Sequence, residues 1–379
     1  MDNDKHFRNL GIVIIGGGLS GLSAALLLNK NGLDVTVIEK KRYPFHRVCG
    51  EYVSNEVLPF LKSLNLDISE LNPSRLNRLA ISSVSGKILS APLDLGGFGI
   101  SRYSFDDYLY QRALEAGVNF IFDKATNIHF EDSQFEIGLA NDLTINCSIL
   151  VSAYGKRSNL DQKLKRPFFY NRSPYMGVKY HIRTDFPKDL IQLDHFEGGY
   201  CGICKIEKNL YNLCYLTETK NLKKHGTIAA MEEQVLFKNP HIKYHFKNSE
   251  FLFKKPEVIN EITFERKSLV EDHILFCGDA AGMIAPLCGN GMAMAIHSGK
   301  ILAESIIEHV KHNKQFNRGS LEKDYQYQWK KQFALRLQSG RIIQNLFSNK
   351  QVSNLAITTL KAMPALTRFV LKKTHGSSF

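Results

Sequence analysis

Near the start of the chain an apolar run, Ile12–Ile15, meets the hexad Gly16-Gly17-Gly18-Leu19-Ser20-Gly21, which opens directly into an apolar helical pattern. Glycines at the first, third and sixth positions allow a tight turn, a close approach to a pyrophosphate and close helix–strand packing. The reading is a strand over Leu10–Ile15, a helix over Ser20–Asn31 and a second strand over Asp34–Glu39, together one βαβ unit. Asn31-Gly32 ends the helix, because both residues tolerate positive φ. Glu39 closes the second strand, near the ~20-residue offset at which an acid meets ribose hydroxyls, and an acid there disfavours a 2′-phosphate. Gly16, Gly18, Leu19, Ser20 and Gly21 therefore offer free N–H groups and a positive helix end to a phosphate, and Glu39 offers a carboxylate to a ribose. A plain structural turn is the competing reading, and the strand–turn–helix setting weighs against it.

The 379 residues suggest two or three domains. A hydrophobic fraction of 44% and a charged fraction of 23% are those of a folded chain. The net charge of +12 is spread over scattered lysines, which reads as a solvated basic surface. No zinc-finger or RNA-binding signature accompanies it, so nucleic acid is not an expected partner. Seven irregularly spaced cysteines point to reduced thiols and a cytoplasmic location rather than a disulfide framework. No secretory signal is expected after Asp2 and Asp4, and no stretch approaches the ~20 apolar residues that span a bilayer.

A second glycine-rich element lies far along the chain. The apolar strand Ile274–Cys277 runs into Gly278-Asp279-Ala280-Ala281-Gly282, followed by Pro286, Gly289, Asn290 and a helix over Gly291–Val310. A strand-end Asp can hydrogen-bond a polyol, which a simple nicotinamide dehydrogenase does not require; a capped structural turn is the alternative. Between the two elements, helices are expected over Ser54–Leu64 and from Ser104 to Ala116, the latter started by Ser104 and Asp107 at capping-box spacing. Strands are expected over Tyr175–Arg183, Gln192–Phe196, Tyr200–Ile206 and Leu210–Thr217, as an antiparallel sheet.

In this order, Gly16–Gly21 with Glu39, then Ser101-Arg102-Tyr103-Ser104-Phe105-Asp106, then Gly278–Gly282 through Gly291, the chain resembles flavoproteins of the para-hydroxybenzoate hydroxylase fold over about residues 10–310. Within that fold, Arg47-Val48-Cys49-Gly50-Glu51 and Pro286-Leu287-Cys288-Gly289-Asn290-Gly291-Met292 look most like the geranylgeranyl reductase branch. The resemblance implies an α/β fold class: a Rossmann-like FAD-binding domain interleaved with an antiparallel-sheet substrate domain, plus C-terminal helices. The FAD-binding domain would comprise residues 1–75, 101–168 and 272–310, the substrate domain 76–100 and 169–271, and the helical region 311–379. It also implies noncovalent FAD, with Glu39 on the adenosine ribose, Arg102 near the pyrophosphate and Asp279 on the ribityl chain. The backbone N–H groups of Gly289, Asn290, Gly291 and Met292 would face the flavin ring, and Lys40 and Arg47 join the cofactor-binding set. The implied activity is that of an FAD-dependent oxidoreductase on a lipophilic substrate, leaning to double-bond reduction of an isoprenoid or polyene. The alternative is NAD(P)H-dependent hydroxylation of an aromatic or polyketide-type lipid. The electron donor stays open, because the Asp-Gly motif usual after the strand Ile149–Ala153 is here Tyr154-Gly155, followed by Lys156-Arg157. Halogenases of this fold carry a Trp-x-Trp-x-Ile-Pro element, whereas this chain has the single Trp329.

Cys49 is the candidate catalytic residue. Its loop would pass near the flavin, where a thiol can donate a proton; a small packing residue is the equal alternative. Cys201-Gly202-Ile203-Cys204 has redox-motif spacing, but strand alternation would send its two cysteines to opposite faces. His297 reads as packing, and no cluster has metal-ligand spacing. From Leu355 to Lys373 apolar and basic residues alternate at helical spacing. Such a helix can lie on an anionic membrane, giving peripheral membrane contact, or pack on the flavin domain.

Overall fold

The computed structural model describes residues 11–171, 173–283, 290–312, 316–347, 350–363 and 377–379. Ile12–Ile15, β-branched and buried throughout, lies inside a six-stranded sheet. The strand order is Val270–Glu271, Ile274–Phe276, Ile149–Ser152, Ile12–Ile15, Val35–Ile38 and Asn119–Ile121. All pairings are parallel except that between Val270–Glu271 and Ile274–Phe276. Helices cover such a sheet on both faces, so its strands read as continuous apolar runs rather than as alternating ones. The strand Ile12–Ile15 has Val35–Ile38 on one side and Ile149–Ser152 on the other. Chain connections diverge there, which opens a crevice at the carboxyl ends of the strands, the usual ligand position of an open α/β sheet.

The helix after the glycine turn runs over Leu19–Lys30, with Asn31 as its C-cap and Gly32 at φ +74°. It is pressed between the sheet and the helix Gly291–Ile307. A Cβ on Gly299 would collide with the Ser20 carbonyl, so this crossing exists only because residue 299 has no side chain.

The second sheet has nine strands and is antiparallel apart from the pairing of Leu190–Phe196 with Ser74–Ser82. Its central strands are Tyr175–Arg183, Tyr211–Glu218 and Gly199–Lys205, close to the spans expected. Alternation gives them two distinct faces. Met176, Val178, Tyr180, Ile182, Cys201, Ile203, Leu213 and Tyr215 enter a core completed by Met231, Leu236 and Ile242. Gly177, Lys179 and His181 lie on the other face, opposite the loop 46–51: a Cβ on Gly177 would touch Val48 at 3.1 Å. A third sheet of three strands, Ala125–Glu131, Gln134–Leu139 and Thr144–Cys147, completes the β structure of the described residues.

Two local expectations are corrected. Residues 54–64 are not one helix: Tyr52–Ser54 is a strand paired antiparallel with Ile88–Gly99, and only Leu58–Ser63 is α-helical after a 3₁₀ turn. Edge pairing outweighs the helical pattern here. The helix expected from Ser104 begins at Arg102, and its cap is Ser101, whose hydroxyl accepts the Ser104 N–H at 3.1 Å. Glu207, in the turn after Gly199–Lys205, fixes this cap by accepting from the Ser101 N–H at 2.8 Å and from both serine hydroxyls. That long-range carboxylate selects Ser101 over Ser104, and no local pattern announces it.

The C-terminal helices are Arg318–Phe347 and Lys350–Ala362. On the second of these, Ile357 packs against Leu89 of the second sheet, and Leu355 is exposed. Pro364, Leu366, Arg368, Phe369, Val370, Lys372 and Lys373 lie outside the described residues.

The Gly299 crossing yields the first prediction. Gly299→Ala should lower the urea unfolding midpoint by an amount corresponding to about 1–3 kcal/mol of overpacking. Denaturation followed by circular dichroism checks it; an unchanged midpoint would show that the helices can part freely.

Candidate functional site

At the crevice, Gly16 sits at φ +110° and its backbone lies against Ala153 and Tyr154, while Gly21 packs on the Gly16 carbonyl. Hydrogen is the only side chain that fits either position. Gly18 differs: a Cβ there would meet only Arg102 Nη2, at 3.9 Å. The turn is thus closed behind and open in front, toward a guanidinium. Leu19 and Ser20 are buried in the helix, so at these positions only the backbone N–H groups are offered to a ligand.

Buried Glu39 accepts the Gly17 N–H on Oε2 at 3.0 Å and the Lys41 N–H on Oε1 at 3.1 Å. Arg47 Nη2 reaches the same carboxylate at 3.3 Å and its Nε donates to Asp106 at 3.0 Å. Arg102 clasps Asp106 through two bonds of 2.5 and 2.7 Å. A bidentate pair of this kind fixes a guanidinium in plane as well as in place. Asp106 therefore holds both arginines; it stands four residues after Arg102, a helical spacing that was there to be read. Tyr43, which sequence reasoning passed over, donates its hydroxyl to the Gly17 carbonyl and stacks on Tyr110 at 4.4 Å between centroids. Lys40 is exposed beside this group.

The second glycine turn arrives from the other side. Gly278, at φ +59°, donates its N–H to Ser298 Oγ at 3.0 Å. The half-buried Asp279 carboxylate accepts no hydrogen bond from a described residue. Burial pushes its carboxyl above the usual range, opposed by the positive charges of Lys267, Arg102 and Lys156. Lys267 donates to the Asp279 and Lys156 carbonyls, both at 2.7 Å, and burial pulls its ammonium down to about 8. The turn is held by Arg166, fully buried, which donates to Ala280 O at 3.0 Å, Ser268 O at 2.8 Å and Asp161 at 2.8 Å. Tyr154, in place of the motif acid, donates to the same Asp161 at 2.6 Å. Tyr154 thus joins the buried Asp161–Arg166 pair that scaffolds the turn. Arg157 pairs with Glu261 at 3.1 Å and lies over Phe169.

Asn290 caps the helix Gly291–Ile307, and its amide N and O are both buried without a partner among the described residues. Gly291 is exposed; the Met292 side chain is buried in the core. Gly289, with Pro286, Leu287 and Cys288, lies outside the described residues.

Cys49 is half-buried on the loop that faces the second sheet. Asn212 Nδ2 holds its carbonyl at 3.1 Å, and burial raises its thiol above the ordinary value. Glu51, two residues on, has no exposure and sits at φ +54°, which costs a residue with a side chain about 1–2 kcal/mol. Its carboxylate accepts the Arg102 N–H at 2.8 Å, the ammonium of fully buried Lys179, and pairs with His181 Nε2 at 2.7 Å. The Lys179 ammonium also donates to Arg47 O at 3.1 Å. The sequence motif contained Glu51, but its side-chain partners Lys179 and His181 come from a strand more than a hundred residues away. Cys201 and Cys204 point to opposite faces of their strand, the first into the core under the helices and the second toward Gly50, whose carbonyl lies 3.5 Å from its sulfur. His297 is buried between Phe333 and Phe379, which pulls its imidazole down to about 3. Among the described residues no group of acids, histidines and cysteines is arranged to hold a metal ion, and no helix is long and apolar enough to cross a membrane.

Comparison with known proteins agrees with this architecture. The family described as FAD binding domain matches residues 9–316. The chain is 24% identical to digeranylgeranylglycerophospholipid reductase 2 of Methanopyrus kandleri over 91% of its own length and 89% of that protein. It is 23% identical to menaquinone reductase of Mycobacterium tuberculosis, over 77% and 75%. In fold it resembles a solved flavin-dependent brominase, with a TM-score of 0.79, 20% identity and coverage of 97% and 94%. The chain belongs to the FAD binding domain family and is an FAD-dependent oxidoreductase.

Proposed function

We propose that this oxidoreductase saturates a carbon–carbon double bond of an isoprenoid or polyene lipid. The observation that carries the reading is Cys49: a half-buried thiol, pushed up by burial, on the loop between the strand Val35–Ile38 and the polar face of the second sheet. Support comes from relatives named as reductases of geranylgeranyl lipids and of menaquinone. In this reading FAD is bound noncovalently, with its pyrophosphate at Gly16, Gly18, Leu19, Ser20 and Gly21 opposite Arg102. Glu39 takes the ribose, with Lys40 and Arg47 beside it, and Asp279 takes the ribityl chain. The N–H groups of Gly289, Asn290, Gly291 and Met292 serve the ring. Three observations support the fit: the space in front of Gly18, the half-buried Asp279 carboxylate without a donor among the described residues, and the Asn290 amide buried with neither atom bonded among them.

FAD, when bound, supplies the two-electron chemistry that no side chain carries. The chain's own residues orient and protonate. Asp106 aims Arg102 and Arg47, Arg166 fixes the turn that carries Asp279, and Cys49 Sγ holds a proton for the substrate carbon. The raised thiol keeps that proton in place at neutral pH until a strongly basic carbon develops. Lys323, Tyr327, Lys330, Lys331 and Leu335 share the exposed face of the helix Arg318–Phe347. Basic and apolar groups together suit contact with an anionic membrane, where such a lipid resides.

Three outcomes follow. Gly18→Val should leave the fold intact and abolish FAD binding, and Asp279→Ala should weaken it; wild-type flavin absorbance in both purified variants would remove these turns from the cofactor site. Chemically reduced holoenzyme under nitrogen should add two hydrogens to geranylgeranyl diphosphate or to a menaquinone, and Cys49→Ala should slow that step about a hundredfold. A product that forms only in air and gains one oxygen would mean the hydroxylase instead. Co-sedimentation with phosphatidylserine vesicles should fall sharply on combining Lys330→Glu, Lys331→Glu and Leu335→Asp; unchanged co-sedimentation would end the membrane contact.

A further inference from the structure

Gly17 is held at both ends by the segment that follows the strand Val35–Ile38. Its N–H donates to Glu39 Oε2 at 3.0 Å, and its carbonyl accepts the Tyr43 hydroxyl. A Cβ on residue 17 would collide with that hydroxyl. Three consecutive glycines restrict the backbone little, so an ordered row of N–H groups needs contacts from outside the turn to fix each peptide. Glu39 fixes the peptide before Gly17, and Tyr43 fixes the one after it. A trans peptide is planar, with its C=O and N–H on opposite sides. Drawing the Gly17 carbonyl toward Tyr43 therefore turns the Gly18 N–H away from the loop, and no described residue accepts that N–H. The tyrosine is itself seated: its ring stacks on Tyr110 at 4.4 Å and 12°, with Phe45 at 5.5 Å and Phe122 edge-on at 6.2 Å. Tyr110 belongs to the helix Arg102–Glu115, about two turns beyond Arg102 and one beyond Asp106. Burial, with the charges of Glu39 and Asp106, pushes the Tyr43 phenol up, so the hydroxyl stays a donor at neutral pH.

We infer that Tyr43 is a positioning residue for the cofactor: by holding the Gly17 carbonyl, it aims the Gly18 N–H at the FAD pyrophosphate. The inference rests on the reading that places the pyrophosphate at this turn. The Tyr43 proton is spent on the Gly17 carbonyl, so the side chain acts through the main chain. Released from Tyr43, the same peptide can turn its carbonyl oxygen into the crevice, where it withdraws a donor and repels a phosphate. Tyr110 and Arg102 share one helix, and a Cβ on Gly18 would stand 3.9 Å from Arg102 Nη2. The Gly18 N–H and the guanidinium are thus both referred to that helix, and an anion between them meets the two at a fixed spacing. Glu39 keeps its own bonds to the Gly17 and Lys41 N–H groups whether or not the hydroxyl is present. Loss of the hydroxyl therefore acts on the pyrophosphate and spares the ribose contact.

The test compares the FAD-loaded full chain with its Tyr43→Phe variant, in which the ring stays on Tyr110 and one hydrogen bond is lost. Free FAD, read by its fluorescence on dilution, gives the Kd of the cofactor; ADP and adenosine are then added as competitors. In Tyr43→Phe the Kd of FAD and that of ADP should both rise about three- to tenfold, the range of a single hydrogen bond. The Kd of adenosine, which carries no phosphate, should stay at the wild-type value. A purely structural bond predicts another pattern: a lower urea midpoint with FAD affinity unchanged, because the folded protein would bind as before. Unchanged FAD affinity overturns the inference. An equal loss for adenosine overturns it as well, since the hydroxyl would then serve the nucleoside. Gly18→Val in the same assay separates the inference from the reading beneath it. If Gly18→Val binds FAD normally, the pyrophosphate lies elsewhere and both fall. If Gly18→Val loses FAD while Tyr43→Phe holds it as tightly as wild type, the turn keeps its ligand and only the role of Tyr43 falls.

Discussion

The turn after the first strand is closed by contacts that leave no room for a side chain, and the rest of the molecule is arranged around it. With Gly21 against the Gly16 carbonyl and Gly299 against Ser20, the helix Leu19–Lys30 is locked between the sheet and a second helix. Its first-turn N–H groups then point in one fixed direction, into the crevice at the carboxyl ends of the parallel strands. A preorganised row of donors costs nothing to assemble when an anion arrives. Asp106 and Arg102 face that row, and the Gly278–Ala280 turn reaches it only because Arg166 holds it there.

What the sequence disclosed was mostly local. Gly16–Gly21, Glu39, the strand Ile274–Phe276 and Asp279 are contiguous patterns, and each folds as its own residues require. The alternation that parts Cys201 from Cys204 is equally local. What stayed hidden depends on chain segments far apart in number. Ser104 looks like a cap in its own window, but Glu207 binds Ser101 and moves the helix start back by two residues. Tyr52–Ser54 is a strand because Ile88–Gly99 offers it an edge. Arg166 carries no motif, and nothing near it in sequence shows that a buried guanidinium links Asp161 to the Ala280 carbonyl. Glu51 stood inside a recognised run, and its meaning came only with Lys179 and His181.

The two large sheets do different work. The parallel one is apolar on both faces and fixes the position of the turns. The antiparallel one has a dry face under its helices and a polar face turned to the loop 46–51. One cluster of buried charge therefore sits at the seam on this polar face, where Glu51 touches main chain or side chain of Arg102, Lys179 and His181.

Glu207 gives this seam a mechanical side. It belongs to the turn between the strands Gly199–Lys205 and Tyr211–Glu218, yet its carboxylate caps the helix whose first residue is Arg102. An acid at a helix start is favoured by the exposed N–H groups and the axial dipole there. The cap thus acts as a rigid strut: any tilt of the second sheet that displaces this turn must carry the Arg102 end of the helix with it. The position of the second sheet and the aim of the Arg102 guanidinium are in this way parts of one lever, with its fulcrum at Ser101.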